Sequence, residues 1–180
     1  MATASKFTLK PATSLADLTA IKSLFTAYAS SLGIDLSFQN FTAELDSLPG
    51  LYAPPFGALF LAITPEQEAI ACVGLRPLLK KSKPNTSLDE NGGDGDGKGN
   101  TICEMKRLYC DPASRGLGVG RALVEEAIKE AERLGYDEMR LDTLLSMEGA
   151  RKLYERYGFE EIEAYYDTPL KGTSFLGKKL

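Results

Sequence analysis

Residues 104–121 read EMKRLYCDPASRGLGVGR, and the fold follows from how they are read. The first seven, EMKRLYC, form a strand. Asp111-Pro112 ends it, because proline lacks the ladder N–H and restricts the residue before it. Arg115-Gly116-Leu117-Gly118-Val119-Gly120 comes next and runs straight into an amphipathic stretch, ALVEEAIKEAERLG. The glycines leave room for close approach to a helix start. The first N–H groups there have no intrahelical partner, and the helix dipole adds partial positive charge. A strand, a glycine turn and a helix start make a phosphate-binding turn.

Two familiar phosphate motifs do not fit. A dinucleotide fingerprint needs GxGxxG tight against a strand, with an acid roughly 20 residues on. Here the glycines run GxGxG, Arg121 stands where the third would fall, and Asp111 to Arg115 separate strand from glycines. A P-loop needs Gly-Lys-Ser/Thr, and this chain has Val-Gly-Arg.

The 180 residues suit one domain spanning 1–180, large enough for a core. A hydrophobic fraction of 43% with 26% charged residues is a globular composition. The net charge of −4 supplies no basic footprint, so no nucleic-acid partner is expected. No apolar run reaches spanning length and MATASKFTLK lacks a signal-peptide core, so no membrane association is expected. Cys72, Cys103 and Cys110 are odd in number and not in metal-ligand spacing. They imply reduced thiols, no metal, and a cytoplasmic setting, with a nuclear one open. With no histidine anywhere, His-based triads and most zinc sites are excluded. A general base must be a carboxylate, tyrosine, lysine or water.

Working outward, 7–10 reads as a first strand. Ser14 and Asp17 form a capping box for a helix with Leu18, Ile21, Leu24, Phe25, Tyr28 and Leu32 on one face, closed by Gly33. A short helix is expected over 38–47. Residues 58–63 and 69–78 read as a hairpin around Thr64-Pro65-Glu66-Gln67-Glu68. Residues 80–100, KKSKPNTSLDENGGDGDGKGN, carry almost no apolar mass and read as a flexible insertion loop. Their acidic pairs only faintly resemble a calcium loop, whose closing glutamate is missing. After the helix over 118–134 comes a strand over 138–144. A helix capped by Ser146 and closed by Gly158 follows, then strands over 159–165 and 173–179. The result is an α/β domain with a mixed, mostly antiparallel sheet of about seven strands and about four helices.

With the strand EMKRLY before it and LYERYGF after it, the pattern Arg-x-x-Gly-x-Gly from Arg115 to Gly120 resembles the pyrophosphate loop of the GNAT superfamily of acyl-CoA-dependent N-acetyltransferases. The likeness extends over nearly the whole chain apart from 80–100. It implies a fourth strand that bulges and splays from the fifth. The pantetheine of acetyl-CoA, the co-substrate, would pair with backbone groups of Leu108, Tyr109 and Cys110. The pyrophosphate would lie on Arg115, Gly116, Leu117, Gly118, Val119, Gly120 and Arg121. Direct transfer needs a base, an oxyanion donor and an acid for the departing thiolate. The resemblance puts the base at Glu104, directly or through water, the donor at a backbone N–H near Leu108, and the acid at Tyr154. Glu104 could instead pair structurally with Lys106 or Arg107, and Tyr154 could simply pack; Tyr157 reads as core.

Strand alternation puts Glu104, Lys106 and Leu108 on one face and Met105, Arg107 and Tyr109 on the other, before any bulge. Cys110 offers a covalent alternative, weakened because no histidine could activate it. Asp142 reads as a second candidate base or a sheet-end hydrogen-bond group, and Arg76 as a carboxylate clamp or a solvated stem. The acceptor is expected to meet the first helices, the loop over 52–56, the third strand and 165–169. Net charge hints at a cationic acceptor. The expected activity is transfer of an acetyl group from acetyl-CoA to a primary amine of a small molecule or protein, by a monomer or homodimer. The alternatives are a non-catalytic acyl-CoA-binding or sensor module of the same fold, and an interaction protein recruited through 80–100.

Overall fold

A computed structural model describes residues 6–78 and 101–180. Its seven strands are β1 (Thr8–Pro11), β2 (Ala58–Ile63), β3 (Ala69–Pro77), β4 (Ile102–Cys110), β5 (Glu138–Leu144), β6 (Glu160–Glu161) and β7 (Thr173–Lys179). They form a sheet in the order β1-β2-β3-β4-β5-β7-β6, antiparallel throughout except for the β4–β5 pair. The helices are α1 (Leu15–Leu32), α2 (Phe41–Asp46), α3 (Val119–Arg133) and α4 (Glu148–Arg156). The expected insertion loop over 80–100 lies outside the described residues.

Local chemistry sets the helix ends. The Asp17 N–H donates to Ser14 Oγ at 3.1 Å and the Ser14 N–H donates to Asp17 Oδ2 at 3.0 Å, completing the capping box. α1 then buries Ile21, Leu24 and Phe25 against Leu59, Leu61 and Cys72 on one sheet face. On the other face α3 buries Val119, Leu123, Val124, Ala127 and Ala131 against Val73, Leu75, Cys103 and Met105. Two apolar layers thus grip β2, β3 and β4 from both sides, and together they form the core.

The alternation expected along β4 breaks at one residue. Cys72 lies opposite Tyr109 and Gly74 opposite Lys106, so three steps of β4 answer two of β3. The extra residue is a β-bulge, and Arg107 within it takes a φ of 58°. Past the bulge the phase inverts. Arg107 and Tyr109 lie on the α1 face with Glu104 and Lys106, while Leu108 joins Met105 on the α3 face. The guanidinium of Arg107 donates to Glu44 from Nε at 3.2 Å and from Nη2 at 2.6 Å, and it sits over the rings of Tyr28 and Phe41. The Tyr52 hydroxyl donates to the same Glu44 carboxylate at 2.6 Å. Tyr52 reaches it by lying on Gly74, where a Cβ would fall 2.6 Å from its ring.

Three other expectations change. The helix expected over 38–47 divides into a 3₁₀ turn at Ser37–Gln39 and α2, because Asn40 between them takes a φ of 54°. The strand expected over 159–165 is only Glu160–Glu161, because Tyr165 and Tyr166 turn inward to pack edge-on against Phe175. Ser146 does not cap α4, which starts after Met147 with no side-chain cap.

Glu44 and Arg107 are a nearly buried pair, with side chains 10% and 3% exposed. Glu44→Ala should therefore lower the urea midpoint by the equivalent of about 3–5 kcal/mol. Lys22→Ala, which breaks the exposed pair with Asp46, should cost less than about 1 kcal/mol. Equal midpoints for the two variants would show that Glu44 does not anchor the bulge.

Candidate active site

The β4–β5 ladder is short. Ile102–Glu104 pair in parallel with Glu138–Arg140, and beyond those residues the strands share no register. The β5-facing edge of 105–110 is thereby released from the ladder. A cavity of about 70 Å³ opens in the split, lined by Met105, Lys106, Arg107, Leu108, Asp142 and Tyr154 among others.

On one side this cavity shares Leu108, Leu144 and Met147 with a groove of about 1070 Å³. Leu108, Tyr109, Cys110, Arg115, Gly116, Gly118, Val119, Gly120 and Arg121 line the groove. Leu117 does not line it and is 38% exposed. Gly116 and Gly118 have φ of 78° and 82°, the left-handed region that glycine enters without strain. No side chain caps α3, whose first intrahelical bond runs from the Ala122 N–H to the Gly118 carbonyl. The N–H groups of Val119, Gly120 and Arg121 are therefore available to an anion at the positive end of the helix. Arg115 stays close, its Nε 3.4 Å from the Cys110 carbonyl. A diphosphate with a long thin arm fits this arrangement of turn, groove and split.

Tyr154 is 7% exposed and lines the cavity where the strands part. Burial, with Tyr28 and Asp142 nearby, pushes its phenol well above the ordinary range, so it stays protonated. Cys110 lines the groove, and burial pushes its thiol up to about 11 despite the opposing charge of Arg115. Cys72 and Cys103 are buried, and all three thiols are free. Tyr157 is half-buried at the core edge and hydrogen-bonds to Glu125.

On its other side the cavity shares Gln39 and Lys106 with a pocket of about 670 Å³ that also holds Arg76, Glu104, Arg140, Tyr165 and Tyr166. Glu104 is 1% exposed and fully engaged. Its Oε2 accepts from Arg76 Nε at 2.9 Å and Nη2 at 2.8 Å. Its Oε1 accepts from the Tyr165 hydroxyl at 2.9 Å and Lys106 Nζ at 3.4 Å. Lys106 Nζ also reaches Asp142 Oδ1 at 3.2 Å, so one ammonium bridges two carboxylates. Burial first, then the Glu104 charge, raises the Tyr165 phenol far above its usual value.

The structure brings the glycine turn, Tyr154, both carboxylates and Arg76, all singled out from the sequence, around one split. Of the loop over 52–56, expected beside the acceptor, Tyr52, Pro54 and Pro55 line a separate groove with Pro11 and Leu18, while the Tyr52 ring also lies under the Arg76 guanidinium, whose carbon is 6.0 Å from the ring centroid. Ser146 lines the large groove, as does Arg156, which sequence reading passed over. Arg140 was also missed, although period-two alternation in EMRLDTL sets it on the same face as Asp142. Gln39 carries no sequence signal at all.

A mixed sheet split after three paired residues, with a glycine turn at the mouth of the split, is the architecture that the acetyltransferase resemblance implies. Residues 21–159 match the family model described as the acetyltransferase (GNAT) family. An uncharacterized N-acetyltransferase of Schizosaccharomyces pombe is 38% identical over 160 residues, covering 89% of this chain and 86% of the relative. One from Dictyostelium discoideum is 33% identical, covering 89% of this chain and 93% of its own. Among solved structures, an acetyltransferase of Streptococcus agalactiae superimposes with a TM-score of 0.70 at 17% identity, covering 97% of this chain and 99% of that one. A chain of the NatC complex bound to Gag peptide and CoA gives 0.66 at 22%, with 97% and 99% covered. Both structures share the fold. The chain belongs to the GNAT acetyltransferase family.

The Cys110 thiol tests the groove wall directly. Its alkylation by iodoacetamide should rise about tenfold per pH unit between roughly pH 7 and 9.5, with no plateau, because the thiolate keeps accumulating up to about 11. Levelling near 9, followed by peptide mass spectrometry, would mark a solvent-like thiol.

Proposed function

We propose that the protein transfers an acetyl group from acetyl-CoA directly to a primary amine of a small molecule or an exposed protein amine. One observation carries this reading: the β4–β5 split joins the glycine-turn groove on one side to a charged pocket on the other. The two substrates can then meet from opposite sides of the split. The groove takes the nucleotide end, with the pyrophosphate on the N–H groups of Val119, Gly120 and Arg121, and the acyl arm follows the released backbone edge of Leu108, Tyr109 and Cys110.

In the reaction the neutral amine attacks the thioester carbon. A C–N bond forms, the C–S bond breaks, the nitrogen loses a proton and the departing thiolate gains one. A backbone N–H near Leu108 faces the oxygen that gains charge. Tyr154 returns the proton to sulfur; it is protonated and lines the split. Both Glu104 oxygens already accept hydrogen bonds, so Glu104 receives the amine's proton through water, with Lys106 linking it to Asp142. A covalent route through Cys110 is disfavoured by a thiol held at about 11 and by the absence of histidine from the sequence. Three free thiols support a reducing compartment such as the cytoplasm.

Thermal stability with acetyl-CoA, CoA and NAD, paired with thiol release over an amine panel, tests the reading. Stabilisation by both CoA species but not NAD, with thiol release, is expected; no shift with any CoA species would overturn it. Gly118→Val should abolish CoA binding in calorimetry while the protein stays folded, since valine at a φ of 82° reshapes the turn. Tyr154→Phe should lower kcat by about a hundredfold with acetyl-CoA affinity unchanged, and unaltered turnover would remove it as the acid.

A further inference from the structure

Gln39 and Lys106 are shared by the linings of the acyl cavity and the acceptor-side pocket, so they stand where the two spaces meet. Gln39 sits at the end of the 3₁₀ turn Ser37–Gln39, ahead of the left-handed Asn40 that redirects the chain into α2. Its Nε2 is 3.3 Å from the Tyr166 hydroxyl. Its Oε1 is buried and has no hydrogen-bond partner among the described residues. A buried acceptor left unpaired costs free energy, so a persistent one calls for an explanation.

Burial first, then the charge of the nearby Asp142 carboxylate, raises the Tyr166 phenol well above its usual value. The phenol is therefore protonated, and a carboxylate, which only accepts, draws that proton toward itself. Gln39 presents Nε2 to the Tyr166 oxygen at 3.3 Å, which turns Oε1 away.

We propose that Gln39 Oε1 accepts an N–H of the incoming amine and makes the site selective for primary amines. This rests on the acetyl-transfer reading above and adds the recognition element. A neutral primary amine aims its lone pair at the thioester carbon and still has two N–H groups. One meets Gln39 Oε1; the other points to the water that carries the proton to Glu104. An N-methyl secondary amine or an alcohol has a single such hydrogen and leaves one of these acceptors unpaired. Loss of a hydrogen bond that a buried site is built to make discriminates more strongly than a missing methyl group does.

The test compares wild type, Gln39→Met and Gln39→Glu. The probes are 1-aminobutane, 2-phenylethylamine, glycinamide and putrescine, each beside its N-methyl analogue. Gln39→Met keeps the length but removes the acceptor, so kcat/KM for the best primary amine should fall about tenfold to a hundredfold. Its preference for that amine over the N-methyl analogue should collapse, with the acetyl-CoA dissociation constant unchanged. Gln39→Glu restores an acceptor oxygen and should recover much of the loss. Primary-amine turnover within threefold of wild type in Gln39→Met, or equal impairment of both variants, would overturn the proposal. Acetyl-CoA binding with no thiol release from wild type for any amine would overturn the acetyl-transfer reading itself, and this inference with it.

Discussion

The residue on which the site depends is Arg107, held in a left-handed conformation in the middle of a buried strand. That conformation costs a non-glycine residue about 1–2 kcal/mol, and a buried guanidinium needs partners. Glu44 and Tyr52 supply the hydrogen bonds, and Tyr28 and Phe41 cover the cation. Burial alone would raise the Glu44 carboxyl, but the Arg107 hydrogen bond and charge outweigh it and hold the group below its ordinary value. With the bulge fixed, β4 turns from β5 after three paired residues, and the split becomes a permanent feature of the sheet.

The split explains the division of labour around it. The outer half of β4 presents an apolar face to α3 and released backbone to the groove. Glu104, the last residue paired with β5, and Lys106, just past it, enter a network with Arg76, Asp142 and Tyr165. Removing any one charge would strand the others, so the network acts as a rigid wall. Tyr154 lies outside the network and faces the split from α4.

Much of this was legible in residues 104–121. A strand stopped by Asp111-Pro112, followed by glycines and an amphipathic helix, admits few architectures, and hydrophobic periodicity supplied nearly every other element. Tyr154 and the glycine turn were recognisable because their chemistry depends on local spacing. The bulge at Arg107 was not, because its driving force is an ion pair with a residue 63 positions away. The shortened β6 escaped for a similar reason: aromatic packing of Tyr165 and Tyr166 on Phe175 outweighs the β-propensity of that segment.

By itself the sequence determined the fold class, the glycine turn at a helix start and the lack of histidine, since each follows from residue types at short spacing. Tertiary structure alone decided the rest. It showed that Glu104 is saturated by Arg76, Lys106 and Tyr165, that Lys106 bridges to Asp142, and that Gln39, Arg140 and Tyr166 line the pocket around them. These contacts join segments far apart in the chain. Which polar groups are satisfied, and which are left over, is set by packing that no local pattern encodes.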